Sequence, residues 1–367
     1  MTTALLKHQI NPALVQQIAT LCQQQDAHFA ADRFLQLALP ADFEQLELKQ
    51  RIRCCASALY QALDRSFAAA CQLLRPVSEH FSGIPGFIFP DVVEQYGLDD
   101  PETALSALAH FTCFSTAEFA IRPFLIRYPA ATLQQMRIWA QSDNHHLRRL
   151  ASEGCRPRLP WGQALRPFKL DPSPLLPILQ QLKADPSDYV RRSVANHLND
   201  ISKDHPQVAL DLASDWYGQH PATNWIVRHG LRGLLKQRHP QALQLFGYQN
   251  VAVCAQLTLA TADIRLGERL EFRLHLSGYP TERIRLEYII DFAGKHGGFR
   301  AKVFQWQDRV ISEPTLQLSR SYLFQDLTTR KHYAGTHQLS IIVNGQRVAQ
   351  QSFQVLPASS PTSSVGF

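Results

Sequence analysis

The spacing of hydrophobic and polar residues divides the chain into two parts. Over the first 245 or so residues, apolar side chains recur every three to four positions, as on one side of an amphipathic helix. The pattern is clearest over residues 11–24, 43–74 and 101–128. Aspartates and prolines stand where these segments begin, which is typical of helix starts. This part therefore predicts helices joined by short connections.

A weak repeat appears within the helical part. Residues 142–155, 186–200 and 222–236 each have a polar start, an apolar pair, basic residues and then a stripe of Ala or Leu. Arg148 and Arg191 are 43 residues apart, and Arg191 and Arg228 are 37 residues apart. This spacing matches helical repeats of the HEAT or armadillo type. Such repeats stack into a curved solenoid, and we expect the corresponding arginines to line its concave side.

The pattern changes near Tyr248. Between residues 251 and 356 the segments become short and alternate between apolar and polar residues, and Asn344-Gly345 is typical of a hairpin turn. Six or seven such segments predict an antiparallel β-sandwich of immunoglobulin type. The predicted fold is mainly α with a β domain: a HEAT-like α-α superhelical solenoid over residues 1–248, an immunoglobulin-like β-sandwich over 249–357, and a disordered tail over 358–367.

Composition excludes several classes of protein. No apolar run approaches the roughly 20 residues that a membrane-spanning helix requires. The first residues are interrupted by Lys7, Asn11 and Pro12, so they do not resemble a signal peptide, and we expect a cytoplasmic protein. The 7 cysteines are scattered and form no CxxC pair, which argues against a disulfide framework or a zinc site.

The distribution of charge points to a partner. The chain carries 37 Lys and Arg against 31 Asp and Glu. Residues 118–250 hold 17 of the basic residues against 10 acidic ones, and 13 of those 17 are arginines. The planar guanidinium suits phosphate oxygens, so a polyanionic partner is plausible. The alternative is a solvated basic surface without a partner.

The chain lacks the motifs of several other chemistries. Neither GxGxxG, GxxxxGK[ST], GxSxG nor HExxH occurs in the chain. The histidines are dispersed, and neighbours such as His145 and His146 should point to different sides of a helix, so we expect no metal and no cofactor. The remaining candidates are acids and aromatics within the arginine-rich repeats: Glu118, Glu153, Trp161, Asp200 and Trp225.

Glu153 is the most unusual of these residues. Arg149 precedes it by four positions and Arg156 follows it by three, so ordinary helix ion pairs are one explanation. The alternative is a site in which the arginines hold phosphates and the acid faces developing positive charge. An apolar stripe on the same helix should send the Arg/Glu side outward, and the prolines at 157 and 160 should end the helix and bring Trp161 to the same end.

The other candidates also have ordinary explanations. Glu118 follows Ser115-Thr116 and could complement a helix dipole. Asp200 stands near a helix end and could cap it or lie in a loop. Trp225 adjoins Ile226 and Val227, so we expect it in the core.

Taken together, four segments resemble the AlkC branch of the bacterial AlkC/AlkD DNA alkylation-repair glycosylases: LRRLASEGCRPRLPW at 147–161, STAEFAIRPFL at 115–125, VRRSVANHLNDISKDHP at 190–206 and WIVRHGLRGLLK at 225–236. The resemblance covers roughly residues 1–245, and the β end resembles the immunoglobulin-like extension of part of that branch. It implies hydrolysis of the N-glycosidic bond of cationic bases such as 3-methyladenine and 3-methylcytosine, without a tight base-flipping pocket. It also implies that Glu153, Glu118 and Asp200 are the acids of the site and Trp161 the aromatic beside the lesion.

The resemblance implies a monomer that acts on double-stranded DNA containing alkylated bases. The candidate DNA contacts are the basic residues of the repeats and of a glycine-containing loop in the β part: Arg148, Arg149, Arg156, Arg158, Arg191, Arg192, Lys203, Arg228, Arg232, Lys295, His296 and Arg300. Two rivals stay open, a nucleic-acid clamp without catalysis and a protein-interaction scaffold.

Overall fold

The computed structural model describes residues 6–249, 252–278, 283–310, 313–327 and 330–358. The chain divides into two compact units, Met1–Arg232 and Gly233–Phe367. The first unit is helical and the second is mainly β. The prediction of helical repeats followed by a β-sandwich is therefore confirmed.

Helices account for nearly all regular structure before residue 246. Numbered α1 to α16 in chain order, they are Pro12–Gln25, Ala31–Ala38, Leu48–Leu63, Phe67–Ser78, Ile88–Tyr96, Pro101–Phe111, Arg122–Arg127, Pro129–Trp139, His145–Glu153, Arg166–Leu170, Leu176–Leu182, Asp188–Asp204, Pro206–Trp216, Pro221–Gly230, Arg232–Lys236 and Pro240–Leu245. Short 3₁₀ turns lie at Phe43–Gln45, Pro85–Phe87 and Ser173–Leu175.

Helix starts follow the signals in the sequence. Proline is the first residue of α1, α6, α8, α13, α14 and α16, where its missing N–H would have no helical partner. Asn144 caps α9, and its side-chain oxygen accepts a hydrogen bond from the His146 amide at 2.9 Å. This cap fixes the start of the helix that ends at Glu153.

The three sequence repeats correspond to helices that pack in series. Helix α9 packs against α12, and α12 packs against α14. The hydroxyl of Ser193 donates to the hydroxyl of Ser152 at 2.9 Å, and Nδ1 of His197 lies 3.0 Å from the Ser152 carbonyl oxygen. These contacts join α9 and α12 beside Glu153.

The β unit contains two sheets. In the described part of the chain the strands β1 to β8 are Cys254–Leu259, Asp263–Arg265, Arg269–Ser277, Arg283–Ala293, Phe299–Val310, Thr315–Leu323, Gly335–Val343 and Gln346–Leu356. One sheet has the order β1-β3-β6 and the other the order β2-β8-β7-β4-β5. The predicted antiparallel arrangement is wrong at one place, because β2 pairs with β8 in parallel. The sequence did not indicate β2, which has only three residues.

The two sheets enclose an apolar core. In β3, Leu270, Phe272, Leu274 and Leu276 are buried and alternate with more exposed polar residues. The predicted turn between β7 and β8 is confirmed, since Asn344 and Gly345 have φ of 47° and 88°. Two consecutive positive φ values are characteristic of the hairpin turn that Asn-Gly favours.

The second unit begins before the first strand. The sequence placed the change after residue 248, where the strand pattern starts, whereas the compact units divide between Arg232 and Gly233. A Cβ atom on Gly345 would lie 2.6 Å from Leu243 of α16, so this helix packs against the β7–β8 turn. Asn344 Nδ2 also donates to the Gln249 carbonyl oxygen at 2.9 Å.

Three further predictions concerned membrane-spanning helices, the cysteines and the C-terminal tail. No helix among the described residues is long and apolar enough to span a membrane. The 7 cysteines are all free thiols, and Cys22, Cys55, Cys71 and Cys155 are buried. The predicted disordered tail lies outside the described residues, apart from its first position.

Candidate active site

Three acidic side chains from separate segments converge in the helical unit. Glu118 lies in the turn before α7, Glu153 is the last residue of α9, and Asp200 lies in α12. Arg149 contacts Glu118 and Glu153, and Arg156 contacts Glu153 and Asp200. With Lys203 beyond Asp200, these residues form one continuous series that we call the charged row: Glu118, Arg149, Glu153, Arg156, Asp200 and Lys203.

Arg149 connects the first two acids. Its guanidinium contacts Oε2 of Glu118 directly and lies 3.7 Å from Oε1 of Glu153. It also donates to the hydroxyl of Thr116 at 2.6 Å and lies 5.0 Å from the ring centroid of Tyr189. Burial alone would lower the pKa of Arg149, but Glu118 and Glu153 outweigh it and raise that pKa. The arginine is therefore a fixed cation.

Arg156 connects the second and third acids. Its Nη1 lies 2.6 Å from Oε1 of Glu153, and its Nη2 lies 2.9 Å from Oδ2 of Asp200. Lys203 donates to the other carboxylate oxygen of Asp200 at 3.1 Å. Asp200 thus has both oxygens engaged by cations, while Glu153 receives both of its arginine contacts on one oxygen.

Glu118 and Glu153 each have one carboxylate oxygen that receives no hydrogen bond from a described residue. The hydroxyl of Thr116 and the Arg149 guanidinium both contact Oε2 of Glu118. No described residue donates a hydrogen bond to Oε1 of Glu118 or to Oε2 of Glu153. These two oxygens can accept a hydrogen bond from water or face a positive charge, so Glu118 and Glu153 suit chemistry better than Asp200 does.

The charged row is more enclosed than the sequence predicted. The Arg/Glu side of α9 was expected to point outward, and this is wrong: Glu153 is 6% exposed, and the side chain of Arg149 is 12% exposed. Beyond α9, Arg156 is 6% exposed and Asp200 1%. The reason is that α12 packs across the end of α9, which a pattern within α9 cannot reveal. Buried ion pairs contribute little stability relative to apolar packing. A buried charged row therefore indicates a functional role for these residues instead of a stabilising one.

Arg122 holds the backbone segment that connects residues of the charged row to Trp161. It is 1% exposed and donates to the carbonyl oxygens of Gly154 and Arg156, each at 2.9 Å, and to that of Gln163 at 2.6 Å. Burial lowers the pKa of Arg122 to about 10, so it remains a cation at neutral pH. It holds the chain that leaves α9 and carries Arg156 and Trp161.

Trp161 lies beside the Glu118 end of the charged row. Its side chain is 55% exposed, and its φ of 64° is in the left-handed region that non-glycine residues rarely adopt. The ammonium of Lys49 donates to the Trp161 carbonyl oxygen. Trp161 and Thr116 line the same cavity, and Thr116 also donates to Glu118 at 2.6 Å.

Two further candidate DNA contacts, besides Arg149 and Arg156 of the charged row, are engaged within the protein. Nη1 of Arg148 donates to the carbonyl oxygens of Ser142 and Asp143 at 2.9 and 2.8 Å. Nη1 of Arg191 donates to those of Asp185 and Pro186 at 2.9 and 2.7 Å, in the corresponding position of the next repeat. Repetition of the same contacts indicates that these arginines stabilise the loops before α9 and α12.

The remaining basic candidates of the repeats differ in exposure. The side chain of Arg192 is 69% exposed and pairs with Asp188 at 2.7 Å, and that of Arg158 is 38% exposed and pairs with Asp204. Lys203 is 47% exposed. Arg232 donates to Asn196 at 3.0 Å, and burial lowers the pKa of Arg232 although the nearby Asp200 opposes this shift. Arg228 lies half-buried on α14.

The basic loop of the β unit lies between β4 and β5. Lys295, His296 and Arg300 are all exposed. Gly297 and Gly298 have φ of 88° and 75°, a conformation that turns the chain sharply and favours glycine. These residues belong to the second compact unit, whereas the charged row belongs to the first.

Aromatic side chains near the site depart from two expectations. Trp225 was expected in the core, and this is wrong: it is 40% exposed and stacks on His229 with a centroid distance of 5.1 Å. His145 and His146 were expected on different sides of α9, yet their ring centroids lie 4.2 Å apart. No group of three His, Cys, Asp or Glu that could hold a metal ion occurs among the described residues.

Tyr189 belongs to the site but was not a candidate. Its ring contacts those of His145 and His146, with centroids 6.2 and 5.9 Å away, and Arg149 lies over it. The repeat contains a signal for it, because Tyr189 follows His146 by 43 residues, as Arg191 follows Arg148. Lys49 offered no such signal, since it lies 112 residues from Trp161.

Comparisons with known proteins identify relatives of both parts of the chain. Residues 106–234, which include the whole charged row, match the family described as DNA alkylation repair enzyme, and residues 253–357 match the C-terminal Ig-like domain of the uncharacterised protein YhaZ. A Bacillus subtilis protein described as uncharacterized protein YhaZ is 44% identical over 353 residues, which are 95% of this chain and 99% of that protein.

A solved structure is similar over both units. It is the alkylpurine DNA glycosylase AlkC of Pseudomonas fluorescens, bound to DNA that contains an abasic site analog. The two chains are 38% identical, the match covers 96% of this chain and 99% of that one, and the TM-score is 0.91.

Proposed function

This protein belongs to the AlkC family of DNA alkylation-repair enzymes, and we propose that it is a monofunctional DNA glycosylase of base excision repair that hydrolyses the N-glycosidic bond of cationic alkylated bases. The charged row is the observation that carries this proposal. It sets two acids, each with an available oxygen, among fixed cations and beside an exposed tryptophan. The preferred substrates are 3-methyladenine and 3-methylcytosine in double-stranded DNA.

The charge of the substrate base explains why acids suffice. A base that already carries a positive charge leaves with the bonding electron pair and becomes neutral, so it needs no general acid. The sugar becomes positively charged as the bond to C1′ breaks. A carboxylate stabilises this charge, while the oxygen of a water molecule bonds to C1′ and a proton of that water passes to a carboxylate.

We assign these steps to particular side chains. Glu153 faces the sugar and accepts the proton of water through Oε2, because its other oxygen is held by Arg156 at 2.6 Å. Glu118 supports it from the Arg149 side. Asp200 acts as a positioning residue, because both of its oxygens are engaged by Arg156 and Lys203. Trp161 contacts the lesion.

DNA affinity comes from exposed cations of the repeats and of the β4–β5 loop. Arg192, Arg158 and Lys203 are the most exposed of the repeat candidates described above. Each phosphate contact contributes through release of counterions and is sensitive to salt. The protein acts as a monomer in the cytoplasm and bends DNA over the exposed cations of the repeats instead of holding an intact nucleotide in a tight pocket.

The test is release of bases from methylated duplex DNA, identified by chromatography. The intact protein should release 3-methyladenine, and Glu153→Gln should lower the rate by about a hundredfold or more while duplex binding is retained. Glu102→Gln, an exposed acid on α6, is the matched control and should keep full activity. If the intact protein releases no methylated base, the proposal fails. If Glu153→Gln and Glu102→Gln are equally active, the site assignment fails.

A further inference from the structure

A cavity of about 150 Å³ lies beside the charged row in the helical unit. Its apolar wall includes Ile52, Pro90 and the rings of Phe87 and Phe119, which meet edge to face with centroids 5.9 Å apart. Neither ring nor proline offers a hydrogen bond, so this wall suits the face of a flat heterocycle.

One end of the cavity is polar. Asp91 lines it with a side chain that is 12% exposed, and its two oxygens lie 3.2 Å from Arg53 and 2.8 Å from Gln95. Burial raises the pKa of Asp91 to about 6, and Glu94 adds to this shift while Arg53 opposes it. Each oxygen keeps a further lone pair, so Asp91 can accept a hydrogen bond from the edge of a purine.

Trp161 also lines the cavity. The Lys49 ammonium donates to the Trp161 carbonyl oxygen and lies 5.1 Å from the centroid of Phe119. Thr116 lines the cavity and also donates to Glu118. The cavity is therefore adjacent to Glu118, with Thr116 between them.

Size limits the class of ligand. A water molecule needs roughly 10–15 Å³ of such space, so a cavity of about 150 Å³ holds on the order of ten non-hydrogen atoms. That is the size of one free purine base.

We propose that the cavity between Phe119, Asp91 and Trp161 binds the alkylated purine base after it has left the sugar. This inference rests on the proposed function. The apolar wall packs on the base, Asp91 hydrogen-bonds to its edge, and Trp161 separates it from the DNA. Since the base enters only after the bond has broken, intact DNA does not have to place a nucleotide in the cavity.

The experiment measures binding of free 3-methyladenine to the full-length protein by calorimetry and its inhibition of base release. Ala120 lines the cavity and is 2% exposed, so Ala120→Leu fills the space. This variant should weaken binding and inhibition at least tenfold, and Asp91→Asn should also weaken both. Ala131→Leu, at an exposed position on α8, is the matched control and should bind as the wild type does.

Folding of each variant is checked by its thermal transition, and Asp91→Asn decides the matter if Ala120→Leu does not fold. Absence of binding at millimolar 3-methyladenine overturns the inference, as does equal binding by the wild type and a folded Ala120→Leu. Glu153→Gln should bind the free base normally. Base release without free-base binding would leave the proposed function standing and remove only the cavity site, whereas binding without release would do the reverse.

Discussion

The guanidinium of Arg156 lies 2.6 Å from the carboxylate of Glu153, and both residues are 6% exposed. Arg156 also binds Asp200, so one cation holds an acid from α9 in a fixed position relative to an acid from α12. Charges removed from water in this way interact strongly, but each loses its hydration. The arrangement is consequently sensitive to the loss of any one partner.

Removing Arg156 should be costly. Arg156→Gln leaves Glu153 and Asp200 buried without their common cation, and we expect a loss of about 3–5 kcal/mol in the free energy of unfolding. Urea denaturation measures this loss. Arg166→Gln, an exposed arginine on α10, is the control and should change stability by less than about 0.5 kcal/mol. Equal midpoints for the two variants would show that the row is not stabilised by Arg156.

Lys49 should act through Trp161. A non-glycine residue at positive φ costs about 1–3 kcal/mol, and the Lys49 hydrogen bond to the Trp161 carbonyl oxygen offsets part of that cost. In Lys49→Met we expect single-turnover base release to slow by about tenfold to a hundredfold, because the indole loses its position, with DNA affinity little changed.

Two further variants test whether the effect comes from the Lys49 hydrogen bond. Lys49→Arg keeps a donor and should recover part of the rate, and Lys183→Met removes a lysine that bonds Gln219 and should have no effect on the rate. A lower DNA affinity with an unchanged single-turnover rate would contradict the positioning role.

Arg148 and Arg192 should differ in what they support. Arg148→Ala removes the hydrogen bonds to Asp185 and to two loop carbonyl oxygens, so the free energy of unfolding should fall by about 2 kcal/mol or more. Arg192→Ala should leave stability nearly unchanged and lower the slope of log affinity against log salt by about one. Chemical denaturation and salt titrations of duplex binding measure the two effects, and an exchange of the two outcomes would refute the assignment.

His197 should make the helical unit sensitive to acid. It is fully buried, and burial, with Arg156 adding to it, lowers the pKa of His197 from 6.5 to about 3. Between those two values the unfolded chain binds the proton and the folded chain does not. The stability due to neutral His197 is therefore complete above about pH 6.5 and declines as the pH falls toward 3, by about 1.4 kcal/mol per pH unit.

The variant His197→Asn isolates this effect. The Asn side chain can still donate to the Ser152 carbonyl oxygen, as Nδ1 of His197 does at 3.0 Å, but it does not titrate. Between about pH 7.5 and 5 the wild type should lose about 2 kcal/mol more than the variant, measured by urea denaturation at each pH. Parallel pH dependences would show that His197 is protonated without unfolding.

Much of the architecture could be predicted from local pattern. The prolines at helix starts, the Asn144 cap and the Asn344-Gly345 turn act through bonds and dihedral angles within a few residues, so each carries its own signal. The parallel pairing of β2 with β8 could not be predicted in the same way, because β2 has three residues and pairs with residues about ninety positions later.

In the candidate site, too, some features could be predicted from the sequence and others depend on tertiary packing. Composition and the arginine repeat made Glu118, Glu153 and Asp200 candidates, and the resemblance to the AlkC branch assigned them to the site. Their burial, the two arginines that connect them, the Lys49 contact to Trp161 and the exposure of Trp225 depend on how distant helices pack. Side-chain identity sets which interactions are available, but desolvation and ion pairing depend on distances between segments, and only the tertiary structure determines those distances.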